Sequence, residues 1–512
     1  MILPFTGAEY LDSLNDDREV WLYGERITRV SDHPAFALSA RMIARMYDSL
    51  HDPAQQETLT VPLENGGFTH RFFCPAKSAA DLTAIQGAMR AWSRMSYGWM
   101  GRSLEYKGSL LSTLGVNAEF YGRFADNARR WYRRGQERML YFNHAIVNPP
   151  VDRHLKADET EDVFLSLDRE TDGGIIVSGA KAVATGSALT HVNFVGQTSP
   201  VTNPDMALSF MVPMDREGVK LICRPAYPVA AMHTGSPFDY PLSSRFDEND
   251  AVLVLDKVFI PWEDVFIFRD TTKAKEYMGK SGFVPNTCFQ ACTRLSVKMD
   301  FLIGILVKGL KTTGSIEFRG VRAQVGELIA WRNTLGALCD AMALNPDPWV
   351  GDTVLPNSRY AQSYRVISTE AYGRYREVAR QTLASGLIYM NSSAADFHQE
   401  ALRPYLDRYY RGSEGDAEAR MKIMKLIWDA TGSEFGGRHE LYEHNYLGSH
   451  EFVRLEAFFS SMNNGYLSEC EALADECMAS YNLDGWCDKD LAEADRLARA
   501  VRDAGVSTHR GN

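Results

Sequence analysis

The 512-residue chain lacks the marks of several whole classes of protein. Its eight cysteines, at 74, 223, 288, 292, 339, 470, 477 and 487, contain no Cys-x-x-Cys pair. That argues against zinc and iron–sulfur sites and reads as free thiols in a reducing cytoplasm. There is no long apolar run: Phe301 to Val307 is far too short to span a bilayer and is flanked by Lys298 and Lys308, so no membrane partner is expected. Met1-Ile2-Leu3-Pro4-Phe5 carries no charged leader ahead of an apolar stretch, and no secretory signal is read there. Basic residues are outnumbered, 55 Lys and Arg against 66 Asp and Glu for a net charge of −11, which speaks against nucleic acid. There is no P-loop, no Gly-x-Ser-x-Gly elbow, no Gly-x-Gly-x-x-Gly after a strand, no internal repeat and no low-complexity tract. The commonest hydrolase, triphosphatase and NAD readings fall with them.

What is present is ordinary globular composition, 45% hydrophobic, in a chain long enough for two or three subdomains. Three textures divide it. Up to about residue 150 the period is helical, as in Asp81 to Tyr97, where Leu82, Ile85, Met89, Trp92 and Met95 recur at steps of three and four before Gly98 and Gly101 interrupt. From about 160 to 270 short apolar runs are broken by turn residues. Val163-Phe164-Leu165, Asp172-Gly173, Ile175-Ile176-Val177, Phe194-Val195, Val219 to Ile222 and Val252 to Leu255 predict a compact antiparallel β insert. After about 290 the helical period returns, with Val321, Val325, Leu328, Leu335, Leu338 and Met342 on one face, and Asn345 to Pro356 reads as a loose link between two helices. Segregated helices, strands and helices make an α+β plan, not alternating βαβ units.

Three groups of residues offer chemistry. Arg102 and Tyr106 stand four apart; on one helix they project from one face and jointly bind an oxyanion or hydroxyl, although a solvated surface pair has the same spacing. His144 lies shortly before Pro149-Pro150, where a lone histidine is more often a hydrogen-bonded structural group than a base. The small, hydroxyl-rich turn Ala184 to His191 follows a predicted strand and suits either a flavin ring or a hairpin. His439 and His444 evoke a metal helix, but five residues place them about 140° apart, so no metal site is expected.

The stretches Gly98-Trp99-Met100-Gly101-Arg102, Asn143 to Arg153, Val177-Ser178-Gly179-Ala180-Lys181 with Ala184-Thr185, Cys292-Thr293-Arg294-Leu295 and Phe435 to Glu443 occur in an order that resembles the oxygenase component of 4-hydroxyphenylacetate 3-monooxygenase over essentially the whole chain. Within that family it is most similar to hydroxylases of enediyne pathways, which act on chlorinated β-tyrosyl groups tethered to a peptidyl carrier protein. The resemblance implies an acyl-CoA-dehydrogenase-like fold: an N-terminal helical domain over 1–155, a middle β-barrel over 156–280 and a C-terminal four-helix bundle with tail over 281–512, assembled as a homotetramer. It implies phenol contacts from Arg102, Tyr106 and His144, with Thr198 and Ser199 at the substrate tail. Flavin contacts are implied for His144, Pro150, Val151, Asp152, Arg153, Thr185, Gly448, Ser449, His450 and Glu451. It further implies FAD, received as FADH2 from a separate NAD(P)H-dependent reductase, and O2 as co-substrate, giving a C4a-hydroperoxyflavin that converts the phenol to a catechol. Arg129, Arg130, Arg133 and Arg134 form the densest basic group on which an acidic carrier protein would dock, although a solvated helix face is the commoner meaning of such a group.

Overall fold

Thr6 starts the first helix by a reciprocal cap: its hydroxyl accepts from the Glu9 amide while the Glu9 carboxylate accepts from the Thr6 amide, and α1 runs Gly7–Ser13. The computed structural model describes residues 2–152, 154, 162–197 and 201–506. Among these, 2–450 form one compact unit and 451 onward a second.

In the first unit, strands β1 (Glu19–Leu22) and β2 (Glu25–Ile27) precede α2 (Ala37–His51) and α3 (Pro53–Leu59), and a hairpin of β3 (Thr60–Pro62) and β4 (Phe68–His70) leads to α4 (Ala79–Met95). The face predicted for α4 is the one it buries, through Leu82, Ile85, Met89 and Trp92, with Met95 half-buried. Helices α5 (Gly108–Gly115) and α6 (Ala125–Arg138) then feed β5 (Phe142–Ala145).

The middle region supplies β6 (Ser166–Thr171), β7 (Gly174–Lys181), β8 (Val192–Val195), β9 (Leu208–Pro213), β10 (Val219–Cys223), α7 (Tyr227–Thr234), β11 (Ala251–Pro261) and β12 (Val265–Phe268). They form a six-stranded sheet, ordered β2-β1-β10-β11-β7-β6, and a four-stranded sheet, ordered β12-β9-β8-β5. The expectation of a purely antiparallel insert is corrected here. β1 pairs with β10 and β5 with β8 in parallel, so strands from the helical N-terminal stretch complete both sheets. Those strands are four residues long, too short to register as a period of two in a helical stretch. The run Val163 to Leu165 also falls outside regular strand, Phe164 making an isolated bridge to Ala180.

After α8 (Thr271–Lys280), the 30-residue helix α9 (Phe283–Thr312) packs against α4, α10 (Arg319–Leu344), α11 (Ser358–Leu383) and, beyond α12 (Arg403–Tyr409), α13 (Ala417–Thr431). Because it is surrounded, α9 is buried over most of its length, including Cys288, Cys292, Arg294 and Lys298. The link 345–356 holds a small hairpin, Asp347–Pro348 with Val354–Leu355. The unit closes through α14 (Glu434–Asn445). From α15 (His450–Asn463), whose first residue ends the first unit, through α16 (Tyr466–Ala479) and α17 (Lys489–Val506), the second unit leaves Phe458, Leu473, Met478, Leu497 and Val501 exposed.

Candidate active site

The site begins where α4 stops. Tyr97 and Gly98 both take positive φ, and a Cβ on Gly98 would stand 2.6 Å from Lys298 Cβ and 2.9 Å from the Arg294 carbonyl oxygen. Only glycine lets the chain run this close to α9. At Gly101 an added Cβ would meet the Tyr442 hydroxyl at 2.3 Å. The segment is then fixed by its backbone: Gly101 N–H donates to one oxygen of Glu248 at 2.9 Å, Arg102 N–H to the other, and Tyr141 O–H donates to the Arg102 carbonyl at 2.6 Å.

Arg102 and Tyr106 do not share an α-helix, which corrects the spacing argument. Arg102 lies in a turn, and Tyr106 in the short 3-10 helix Leu104–Lys107. The glycines break the helix, yet the guanidinium still comes within 4.3 Å of the Tyr106 ring centroid. His144 sits on β5, opposite Phe194 of β8, with its ring 5.6 Å from Tyr106 and 5.7 Å from Phe283. The three residues singled out by sequence therefore converge, and Lys107 joins them. Its Nζ is 2.9 Å from His144 Nδ1 and 4.2 Å from the Tyr106 centroid.

The electrostatics favour an oxyanion here. Burial opposes the charge on Arg102, but the Tyr106, Tyr442 and Tyr446 phenols and Glu248 outweigh it and push its pKa up. Its buried Nη1 has no hydrogen-bond partner among the described residues. Burial drives His144 well below the usual histidine range, and Lys107 and Arg102 add to that. Tyr106 moves up through burial, partly offset by Arg102. Behind Arg102, Tyr442 and Tyr446 stack at 4.3 Å, and Arg294 faces their far end. Arg294 forms a two-pronged pair with Glu443 at 2.7 Å, and Lys298 adds a third bond at 2.9 Å. Burial works against the Glu443 charge, but Arg294 and Lys298 hold its pKa down at about 2.

A second group lies toward β7. Thr185 O–H donates to Asp250 at 2.6 Å, and Asp250 takes two bonds from Arg438 at 2.7 and 3.0 Å. Arg438 in turn lies 4.9 Å over the Tyr442 ring and 4.0 Å from Glu248. The Ala182 N–H donates to the Val147 carbonyl, setting Val147 and Val183 near each other although they are 48% and 61% exposed. Pro150, Val151 and Asp152 follow at the surface. Buried Lys181 reaches Asn148 and Gln197 at 2.7 and 2.9 Å, and burial pulls its pKa down to about 7. Arg153, Thr198 and Ser199 lie outside the described residues. Gly448, Ser449 and His450 end the first unit and Glu451 opens the second. Arg129 pairs with Glu119 and Asp126, Arg130 with Asp264, and Arg134 covers Trp131, so most of the basic cluster is engaged within the chain.

The family models for the 4-hydroxyphenylacetate 3-hydroxylase N terminal and C terminal match residues 6–267 and 274–475. The chain belongs to the 4-hydroxyphenylacetate 3-hydroxylase family. A Streptomyces globisporus relative is 54% identical over 98% of this chain and 95% of its own, and is a (3S)-3-amino-3-(3-chloro-4-hydroxyphenyl)propanoyl-[peptidyl-carrier protein] monooxygenase. A 4-nitrophenol 2-monooxygenase oxygenase component from a Rhodococcus species is 52% identical over 98% and 97%. The oxygenase component of 4-hydroxyphenylacetate 3-monooxygenase, crystallised with FAD and 4-hydroxyphenylacetate, superposes with a TM-score of 0.86 at 28% identity, covering 93% of this chain and 99% of that one. As a 4-hydroxyphenylacetate 3-hydroxylase family member, the chain is a monooxygenase oxygenase component, and its fold is that of the solved oxygenase component.

Sequence reasoning missed Lys107, Glu248 and Asp250 in this hydroxylase. Lys107 reads as a surface letter, and Glu248 and Asp250 are carboxylates in a polar stretch. Each acquires meaning only when the segment leading into β11 and the 3-10 helix Leu104–Lys107 bring it beside Arg102, Thr185 or His144.

Proposed function

We propose that this protein ortho-hydroxylates a para-substituted phenol to a catechol, as the oxygenase half of a two-component system. Its preferred substrate on this reading is a chlorinated β-tyrosyl group on a peptidyl carrier protein. The observation that carries the phenol chemistry is the buried, unpartnered Nη1 of Arg102 beside Tyr106 and His144. A phenol oxygen placed there gains a charged hydrogen bond that strengthens as the oxygen becomes anionic. The 54% identity to a carrier-protein monooxygenase supports the tethered form.

FAD, reduced by a separate NAD(P)H-dependent reductase, fits the second group. Val147 and Val183 each expose an apolar side chain that a flat ring would cover, and Thr185 stands two residues beyond Val183. Thr185, Pro150, Val151, Asp152, Arg153 and the stretch Gly448 to Glu451 would hold it, with His144 between flavin and phenol and Thr198 and Ser199 toward the substrate tail. When bound, the reduced flavin supplies with O2 the electrophilic oxygen. The chain's own work is to exclude water, aim the ring and hold negative charge on the phenol oxygen, which enriches the ortho carbon.

The reading includes a cytoplasmic homotetramer. The exposed Phe458, Leu473, Met478, Leu497 and Val501 of the second unit support assembly, since a tail that leaves so many large apolar residues in water gains by covering them. The decisive experiment incubates the protein with O2, NADH, FAD and a generic flavin reductase, and weighs free and carrier-bound tyrosine derivatives by mass spectrometry. Addition of one oxygen atom to a carrier-bound β-tyrosyl group, with a kcat/KM well above that of the free amino acid, is expected. Equal efficiency on both forms removes the carrier; no oxygen in any phenol removes the hydroxylase reading.

A further inference from the structure

Lys107 is completely buried and forms no ion pair among the described residues. The neighbouring carboxylates do not pair with it: Glu105 accepts from Ser103 and Gln290 through Oε1, its Oε2 is buried without a partner among the described residues and burial raises its pKa toward the neutral acid, while Glu248 accepts from the Gly101 and Arg102 amides. Among the described residues its Nζ has a single hydrogen-bond partner, His144 Nδ1, at 2.9 Å. A lysine stripped of water and counter-ion, with the Arg102 cation sharing the Tyr106 ring, is under pressure to give up its proton. Burial and Arg102 lower its pKa far more than the distant Glu248 raises it. The charged and titratable groups around the pair are Arg102, Tyr106 and Glu248, with Phe283, Thr287 and Cys288 closing the site from α9.

We propose that Lys107 is the terminal acceptor of the substrate's phenolic proton, reached through His144. This rests on the phenol site of the preceding section. With the amine neutral, His144 Nδ1–H donates to Nζ and leaves Nε2 as the acceptor for a phenol. Transfer breaks the phenol O–H and forms Nε2–H, while Nδ1–H breaks and Nζ–H forms. The products are a phenolate, a neutral imidazole now donating from Nε2, and a Lys107 ammonium. The total charge of the site is unchanged, so a buried phenolate forms with no net charge carried in from or out to water. Lys107 is thus a positioning and proton-holding residue acting through His144, and His144 stays neutral at the start and at the end.

The test uses 4-nitrophenol, whose ionisation is visible, bound to the full-length protein without reductase, at a pH where the free compound is neutral. Absorbance reports whether the bound phenol is ionised, and calorimetry in buffers of different ionisation enthalpy reports protons released. Wild-type protein is expected to bind the probe as phenolate and release no proton. Lys107→Arg, which keeps a donor to Nδ1 but cannot take a proton, is expected either to bind the neutral phenol or to release one proton per phenolate formed. In turnover it should lose about 100-fold in kcat with little change in KM, the reduced flavin's oxidising equivalents appearing as hydrogen peroxide. Lys107→Met tests the same point without a cation, and circular dichroism checks both folds. If either folded variant still forms phenolate without proton release, or if wild-type protein releases a full proton, Lys107 is not the acceptor. If wild-type protein binds no phenol at all, the phenol-site reading fails and the relay with it.

Discussion

At the scale of single residues the site rests on one guanidinium fork. Removing Arg102 as Arg102→Ala takes away a charged hydrogen bond worth about 1.5–3 kcal/mol, so kcat/KM for the phenol should fall by about 10–100-fold. FAD affinity, followed by equilibrium dialysis, should hold because the flavin contacts proposed above centre on Thr185 and the loop 147–152. Arg102→Lys should not restore activity, since a point charge does not reproduce a planar fork. Gly101 makes a complementary prediction about space. A Cβ there would sit 2.3 Å from the Tyr442 hydroxyl, so Gly101→Ala must shift the stacked Tyr442 and Tyr446 pair and should cost about 1–3 kcal/mol in urea unfolding. An unchanged midpoint would show that the α14 side yields freely.

At the scale of elements, α9 and α14 are joined by Arg294, Lys298 and Glu443, all fully buried. Glu443→Gln leaves two cations without their carboxylate and should destabilise by about 3–5 kcal/mol. The pH dependence has a definite sign. The folded carboxyl titrates at about 2 against a usual value of 4.5, so its stabilisation is complete above about pH 4.5 and is lost as pH falls through about 2. Acid denaturation monitored by tryptophan fluorescence should show that loss in wild-type protein and not in Glu443→Gln. These elements also show what was legible in the sequence. The long helices α4 and α10 declared themselves through their period, and β7, β10 and β11 through apolar runs between turns. β1 and β5 did not, because four residues inside a helical texture carry no period and their pairing is with strands far along the chain. The interval Arg102–Tyr106–His144 was legible as a motif, while its helical explanation was not: a turn and a strand, not one helix face, bring the three together.

At the scale of the whole molecule, the absence of an NAD-binding fingerprint from the sequence accords with reduction by a separate partner. The purified protein should be largely colourless, and NADH alone should not consume oxygen until a flavin reductase and FAD are added. Tightly held, dialysis-resistant oxidised flavin reduced directly by NADH would contradict this. The second unit bears on assembly: light scattering of a chain ended at residue 450 should report a smaller oligomer than the full chain if its exposed apolar residues cover one another between copies. An unchanged mass would move the interface to the first unit.

The carboxylate of Glu248 carries a last consequence. One of its oxygens holds the amide of Gly101 and the other that of Arg102, while Arg438 stands 4.0 Å away, bound to the same Asp250 that receives the Thr185 hydroxyl. On the proposed placement of flavin at Thr185 and phenol at Arg102, the two sites share one chain of charges, and whatever occupies one end bears on the shape of the other. Linkage makes that influence reciprocal: the factor by which FAD raises phenol affinity must equal the factor by which phenol raises FAD affinity. Asp250→Asn should shrink both factors together, and a protein wired this way takes up its two ligands as a correlated pair instead of as independent guests.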